Sequence, residues 1–207
     1  MQAATFTGSS RANSQNGGDS SNAFSGNAGK DLTVSCWFKM SIPTGITLSK
    51  DMMIMSNRQS STLGGNFAFE IAFSVTDTAT AGNVVFRARG ATTALAPQVL
   101  IAQPFLDRWY HVAVTRNADT FNFYLDGRPV GTKNYFQAIG TTTNSNGITI
   151  GGTSDNAPLY GEVIEVAIYR RQLTDTDIPA CFLPTTPRTI PTFAVTTNSA
   201  QRLLQIG

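Results

Sequence analysis

Apolar and polar residues alternate along many short stretches of this chain, which is the pattern expected of half-buried β-strands. Residues 32–40, LTVSCWFKM, show it most clearly, because Leu32, Val34 and every second residue after them form one apolar face. This strand is predicted to bury that face alone. Further strands are predicted at residues 3–7, 52–57, 66–75, 83–90, 98–103, 147–152 and 160–170.

Residues 108–130, RWYHVAVTRNADTFNFYLDGRPV, predict the centre of a sheet. In residues 109–116 both sets of alternate residues are apolar, as in a strand that is covered on both faces. The RNAD segment has the length of a hairpin connection, and Asp126-Gly127 predicts the next turn because glycine tolerates positive φ. Pro129 limits the following strand to a sheet edge or to its first position, since proline has no backbone N–H.

Residues 173–182, LTDTDIPACF, are the one helix candidate. Thr174 can cap this helix with Asp177 three residues later, and Pro179 limits it to one or two turns. Many short strands with a single terminal helical turn predict an all-β fold. The predicted architecture is an antiparallel two-sheet jelly-roll sandwich with one short C-terminal helical turn.

The composition predicts one domain with polar segments at both ends. The domain is expected to span residues 1–183, and it includes a Gly-, Asn- and Ser-rich loop at residues 8–30. Residues 184–207 are rich in proline and threonine and predict a C-terminal arm. A chain of 207 residues is long enough to bury a sizeable core.

The charge pattern argues against nucleic acid and membrane partners. The net charge is +2 and only 14% of the residues are charged, without the basic stripe of nucleic-acid binders. The arginines at positions 87, 89, 170 and 171 are therefore interpreted as solvated surface. No apolar run reaches the length of a membrane span. Residues 1–10 lack the features of a secretory signal, so the protein is expected to act where it is made unless a leader lies outside this numbering.

The residues that could carry catalysis do not form a recognisable constellation, and no enzyme activity is predicted. His111 is the only histidine, which excludes a histidine cluster for zinc; it is interpreted as a buried residue satisfied by a hydrogen bond. Glu162 and Glu165 are three apart on a strand, which places them on opposite faces rather than as a glycosidase pair. Cys36 is predicted to be an inert core thiol, and a Cys36–Cys181 disulfide is left open because the sequence does not give their separation.

Four segments in order, LTVSCWFKM, WYHVAVTRNADTFNFYLDGRPV, ITIGG and GEVIEVAIYRRQLTDTDI, resemble the laminin G-like family. This family is a branch of the concanavalin A-like lectin/glucanase jelly rolls, and the resemblance spans about residues 31–180. It implies a curved two-sheet jelly roll with binding surfaces on the rim loops or on the concave face. It also implies Ca²⁺ binding, glycan binding or adhesion as the usual functions.

Two departures from the family pattern weaken the expectation of calcium. Phe6-Thr7-Gly8 stands where many members have Phe-Asp-Gly, and Gly161-Glu162-Val163-Ile164-Glu165-Val166 stands where many have Gly-x-Ile-Asp-Glu-Val. Both aspartates are thus replaced, whereas Ca²⁺ requires several oxygen ligands with carboxylates among them. No cofactor is therefore predicted, with Asp155 and Asn156 as the loop residues that would serve a calcium ion or another ligand.

Aromatic residues near predicted strand ends are the candidates for a sugar platform, because stacking on a sugar ring requires an exposed ring. Tyr135, Phe136 and Tyr160 are the predicted ligand-binding aromatics, and Phe105 before the central hairpin is a further candidate. Trp37 and Trp109 are predicted to lie in the core instead.

Two functions follow as alternatives. The first is a non-catalytic structural protein of a larger assembly, such as a capsid decoration or tail-associated component of a phage virion. Its partners would be other protein subunits, contacted through residues 8–30 and 184–207, with surface glycans as a further partner class. The alternative is a free carbohydrate-binding or adhesion module, extracellular or at a cell surface and Ca²⁺-dependent if the metal binds.

Overall fold

The computed structural model of the chain describes residues 4–7, 12–13, 31–48, 51–56, 69–75, 82–88, 98–134, 149–152, 159–169 and 171–182. The described part contains twelve strands and one short helix. They are β1 (Ala4–Thr7), β2 (Ala12–Asn13), β3 (Leu32–Met40), β4 (Met52–Ser56), β5 (Phe69–Val75), β6 (Gly82–Ala88), β7 (Gln98–Ala102), β8 (Trp109–Asn117), β9 (Thr120–Leu125), β10 (Arg128–Asn134), β11 (Thr149–Ile150), β12 (Tyr160–Tyr169) and α1 (Asp177–Phe182).

The strands form two six-stranded sheets. Sheet I has the order β1-β12-β3-β8-β9-β10, and sheet II has the order β2-β11-β4-β5-β6-β7. Every paired strand in the described part runs antiparallel to its neighbour. The predicted antiparallel two-sheet jelly-roll sandwich is confirmed.

The core lies between the two sheets and is built from the alternating apolar positions of both. Phe38 and Phe123 of sheet I and Phe73 and Phe86 of sheet II are fully buried in it. Edge-to-face and tilted aromatic contacts, such as Phe86 with Phe123 at 5.3 Å between ring centroids, join the sheets. Burial of this apolar surface is the main stabilising term of the fold.

The prediction that β3 buries only one face is wrong. Thr33 and Ser35, which alternate with the core residues of this strand, are also buried. Residues 171–182 cover them: the Thr33 hydroxyl donates to the carbonyl of Arg171 at 2.9 Å and accepts from the backbone N–H of Leu173 at 2.8 Å. The sequence pattern of β3 does not show this cover, because it comes from about 140 residues further along the chain.

The central hairpins form as predicted. β8 pairs with β3 on one side and β9 on the other and is buried over most of its length, as expected for a central strand. Asp126 and Gly127 both have positive φ, 49° and 75°, in the turn between β9 and β10. β10 lies at the edge of sheet I, as Pro129 predicts, and a register shift occurs between Pro129 and Gly131.

The short helix and its cap are confirmed. The backbone N–H of Thr174 donates to the Asp177 carboxylate at 2.9 Å, and the N–H of Asp177 donates to the Thr174 hydroxyl at 3.3 Å. This reciprocal pair satisfies N–H groups that have no partner within the helix. The hydrogen bonds that the Asp177 carboxylate accepts from the backbone N–H and the hydroxyl of Thr174 hold its pKa below its usual value. Pro179 fits because it lies close to the helix start, where a missing N–H matters least.

The predicted terminal segments lie mostly outside the described residues. Within the expected loop 8–30, the structure places the two-residue strand β2, which pairs with β11. The arm at residues 184–207 is not among the described residues. In the described part of the chain, no helix has the length and apolar character needed to cross a membrane.

Cys36 and Cys181 do not form a disulfide. Cys36 is fully buried, which raises the pKa of its thiol to about 12, so this thiol is unreactive at neutral pH. We expect a thiol reagent to modify no more than one cysteine, Cys181, in the native protein and both in denaturant. Titration with Ellman's reagent without reductant measures this. Absence of any reactive thiol in denaturant shows that a disulfide exists.

Candidate functional site

Tyr160 is the one predicted ligand-binding residue that lies among the described residues. It begins β12, is half-buried and packs against the core, and its carbonyl accepts the backbone N–H of Ser41 at 3.0 Å. Tyr135, Phe136, Asp155 and Asn156 lie outside the described residues. The ligand-binding role of the five residues therefore stays a prediction.

The loop from Gln103 to Arg108, between β7 and β8, presents an exposed aromatic ring. Phe105 is 71% exposed, more than any other large hydrophobic residue in the described part of the chain, and Leu106 beside it is 38% exposed. Single exposed hydrophobic residues are common, but Phe105 and Leu106 together form a small exposed apolar patch on one loop. The ring therefore has the exposure that a sugar platform or a protein contact requires.

Hydrogen bonds hold this loop at several points. The N–H of Phe105 donates to the Tyr110 hydroxyl at 2.9 Å, and the N–H of Asp107 donates to the carbonyl of Met40 at 2.7 Å. The Ser41 hydroxyl donates to the Asp107 carboxylate at 2.6 Å. The platform is thus preorganised, so that little conformational entropy is lost when a ligand binds.

The loop also contains two strained backbone positions. Gln103 and Asp107 have φ of 46° and 58°, in the left-handed region that non-glycine residues seldom adopt. Such strain costs about 1–3 kcal/mol per residue and is concentrated at functional sites. The two positions flank Phe105 and fix its direction.

Charged and aromatic side chains lie beside the loop on the outer face of sheet I. The Lys39 ammonium is 2.6 Å from the Glu162 carboxylate and 5.3 Å from the centre of the Trp109 ring. Trp109 is half-buried on this outer face, so the prediction that it belongs to the core is wrong. The sequence did not show this, because both sets of alternate residues in 109–116 are apolar. The pairing of Trp109 with Lys39, whose side chain alternates with the core positions of β3, places it on the outer face.

We call this set the Phe105 end: residues 103–108 with Lys39, Trp109 and Glu162, at the end of the sandwich where β3 stops and β8 begins. It combines an exposed aromatic ring with donors and acceptors, which is the composition of a shallow binding surface for polar ligands.

A second aromatic cluster lies further along the same face. The Phe182 ring stacks on Trp37 with 5.1 Å between centroids and meets His111 edge-on at 5.9 Å. Trp37 is therefore covered by α1 and is not part of the main core, contrary to the prediction. Gly127 makes room for this contact, since a Cβ there would lie 3.2 Å from the Phe182 side chain.

His111 is buried, as predicted, but no hydrogen-bond partner for its Nδ1 lies among the described residues. Burial lowers the pKa of the imidazole to about 4 although the nearby Asp126 carboxylate acts in the opposite direction. The imidazole is therefore neutral at pH 7. It packs against the Trp37 and Phe182 rings, which fits a structural role.

Sheet II carries a charged network on the face opposite to the core. Arg87 donates to Glu70 at 2.8 Å, to Asp51 at 2.5 Å and to the Ser74 hydroxyl at 2.9 Å. The prediction that Arg87 is solvated surface is wrong, because its side chain is only 17% exposed and Glu70 is fully buried. The Arg87 guanidinium thus compensates the charge of the buried Glu70 carboxylate, as a buried ionic group requires.

The described residues contain no group of three or more histidine, cysteine, aspartate or glutamate side chains able to hold a metal ion. Asp155 and Asn156, the residues predicted to serve a calcium ion, lie outside the described part. Calcium binding therefore gains no support from the described residues.

The sequence matches the family model described as the concanavalin A-like lectin/glucanases superfamily, of laminin G type, over residues 12–179. No curated protein matches the sequence.

Three solved structures share the fold. Domain 4 of AbnA, an extracellular arabinanase from Geobacillus stearothermophilus, in complex with arabinotriose, is 16% identical with a TM-score of 0.60, covering 87% of this chain and 76% of that chain. The CBM40 of the Ruminococcus gnavus IT-sialidase, bound to alpha2,3 sialyllactose, is 13% identical with a TM-score of 0.58 and coverages of 86% and 96%. The native heptameric SAP-like pentraxin from Limulus polyphemus is 18% identical with a TM-score of 0.50 and coverages of 77% and 73%.

Proposed function

We propose, because the chain belongs to the concanavalin A-like lectin/glucanase superfamily, that it is a non-catalytic carbohydrate-binding or adhesion module. The Phe105 end is its binding surface. The observation that carries this proposal is a strongly exposed phenylalanine on a loop that hydrogen bonds hold in place. The role is extracellular or at a surface, where glycans are presented.

Sugar recognition needs two kinds of contact, and the Phe105 end offers both. The apolar C–H face of a sugar ring packs on an aromatic ring, which Phe105 presents. Hydroxyl groups of the sugar need donors and acceptors, which the exposed side chains of Gln103 and Arg108 in the same loop carry. Two solved relatives of the same fold are complexes with arabinotriose and with sialyllactose, which supports a glycan as the ligand.

The carboxylates of the described residues favour binding over catalysis. Glu70 is paired with Arg87 in sheet II, and Glu162 is paired with Lys39 in sheet I. A glycosidase needs two carboxyl groups about 5–10 Å apart on one surface with one of them able to donate a proton. Carboxylates that are tied to cations in opposite sheets do not provide this arrangement.

Replacing Phe105 with alanine is expected to weaken glycan binding at least about tenfold, which corresponds to about 1.4 kcal/mol, while the protein stays folded. The measurement is binding to a printed glycan array, followed by calorimetric titration of the strongest glycan. Val130→Ala is the matched control, since Val130 is also exposed but lies on the β10 edge strand. Equal binding by Phe105→Ala and the unchanged protein refutes the assignment of the site.

A second function, a subunit of a larger assembly such as a virion, is favoured by one observation. The edge strands β7 and β10 expose Val99 and Val130, 44% and 42% exposed, and unpaired sheet edges are common sites of association. Light scattering of the full chain tests it. Association that is lost with Val99→Lys and Val130→Lys but kept with Phe105→Ala supports the assembly role. A protein that stays monomeric at all concentrations excludes self-assembly as its function.

A further inference from the structure

The acidic groups at the Phe105 end, and Asp126 next to Arg108, are already engaged by the protein itself. The Asp107 carboxylate accepts the Ser41 hydroxyl at 2.6 Å, and the Asp126 carboxylate accepts the backbone N–H of His111 at 2.9 Å. Glu162 is 2.6 Å from the Lys39 ammonium. These carboxylates hold the loop and strand ends in place, so their charge is partly compensated within the fold.

One basic group at the same end, Arg108, is much less engaged. The Arg108 side chain is 56% exposed, and its carboxylate partner, Asp126, is 3.8 Å away, beyond the 2.7–2.9 Å of a charge-assisted hydrogen bond. The charged donor left for a ligand at this end is therefore the Arg108 guanidinium.

Tyr110 fixes Arg108 next to the aromatic platform. The guanidinium carbon of Arg108 lies 5.0 Å from the centre of the Tyr110 ring, and the hydroxyl of the same ring accepts the N–H of Phe105. Stacking on the buried ring restricts the arginine, so less conformational entropy is lost when it binds. A planar fork of donors thus stands beside an exposed phenylalanine, and this fork matches a carboxylate or sulfate.

We propose that the Phe105 end selects anionic sugars, with the ring of Phe105 packing on the sugar and the Arg108 guanidinium binding its carboxylate or sulfate group. The inference rests on the proposed carbohydrate-binding function and adds the class of glycan. It requires no metal ion.

The test compares matched glycans that differ only in charge. Full-length protein is applied to an array printed with 3′-sialyllactose and lactose, trigalacturonic acid and its methyl ester, and galactose with and without a sulfate group. The expected result is binding to charged members of these pairs, weakened at least about tenfold by Arg108→Gln, the loss expected for one charge-assisted hydrogen bond. Arg171→Gln is the control, because Arg171 is equally exposed but pairs with Asp177 near α1.

The possible outcomes separate the two proposals. Charged glycans that bind equally well to Arg108→Gln, or neutral members that bind as tightly as charged ones, overturn the anionic-sugar inference. If Phe105→Ala abolishes binding of those neutral glycans, the carbohydrate-binding function stands. If no glycan on the array binds, the carbohydrate-binding function fails and the inference fails with it. Thermal unfolding of each variant shows whether it is still folded, so that a loss of binding is not mistaken for a loss of the fold.

Discussion

The protein is expected to lose about 3 kcal/mol of stability between pH 7 and pH 4 through His111 alone. In the folded state, burial lowers the pKa of this imidazole from 6.5 to about 4, while the unfolded chain keeps the ordinary value. Between these two pKa values the unfolded state binds a proton that the folded state excludes. Acid therefore favours unfolding, and the loss starts as the pH falls through 6.5 and is complete below about 4.

The variant His111→Phe isolates this effect, because it keeps a ring between Trp37 and Phe182 and removes the titrating group. Urea unfolding at several pH values gives the free energy of unfolding for both proteins. The unchanged protein should show the steeper decline between pH 6.5 and pH 4.5. Equal slopes for the two proteins mean that His111 gains a proton without disturbing the fold.

The strands were predictable because their sequence patterns are local. Alternation in β3, the apolar run of β8 and the Asp126-Gly127 turn each depend on a few adjacent residues, and all appear in the structure. The antiparallel sandwich follows from the number of such strands. The two-residue strand β2 was not predicted, since so short a strand carries no periodic signal.

The cover on the outer face of sheet I could not be predicted from local patterns. Leu173 and Ile178 pack on Ala113 and Tyr124, which are about 50–60 residues earlier in the chain. The polar alternate positions of β3, such as Thr33, therefore look solvent-exposed in the sequence although a distant segment buries them. The same cover buries the His111 side chain, whose Nδ1 has no hydrogen-bond partner among the described residues.

The candidate site was only partly visible in the sequence. Phe105 was a candidate aromatic because it precedes the central hairpin, but its exposure depends on the loop geometry at Gln103 and Asp107. Arg108 gave no signal, since a lone surface arginine is common. Its contact with the ring of Tyr110 and that ring's hydrogen bond to Phe105 exist only in three dimensions.

Gly161→Ala is expected to destabilise the protein by about 3–5 kcal/mol, the range reached by severe backbone and packing defects. Gly161 has φ of 151°, and a Cβ at this position would lie 2.0 Å from the carbonyl oxygen of Lys39. The backbone at Gly161 has little freedom to move, because β12 pairs here with β1 on one side and with β3 on the other. Since Glu162 follows directly, the same change should also disturb its ion pair with Lys39. Denaturant unfolding measures the loss of stability.

Gly45→Ala separates the clash from the backbone conformation. Gly45 also has positive φ, 85°, but a Cβ there would have no atom within 4 Å. The Gly45→Ala variant should lose only about 1–2 kcal/mol of its free energy of unfolding, which is the penalty of the left-handed conformation for an ordinary residue. A similar loss for both variants shows that the β12 and β3 backbones can move apart at Gly161, and that the close approach of these strands is not what requires a glycine.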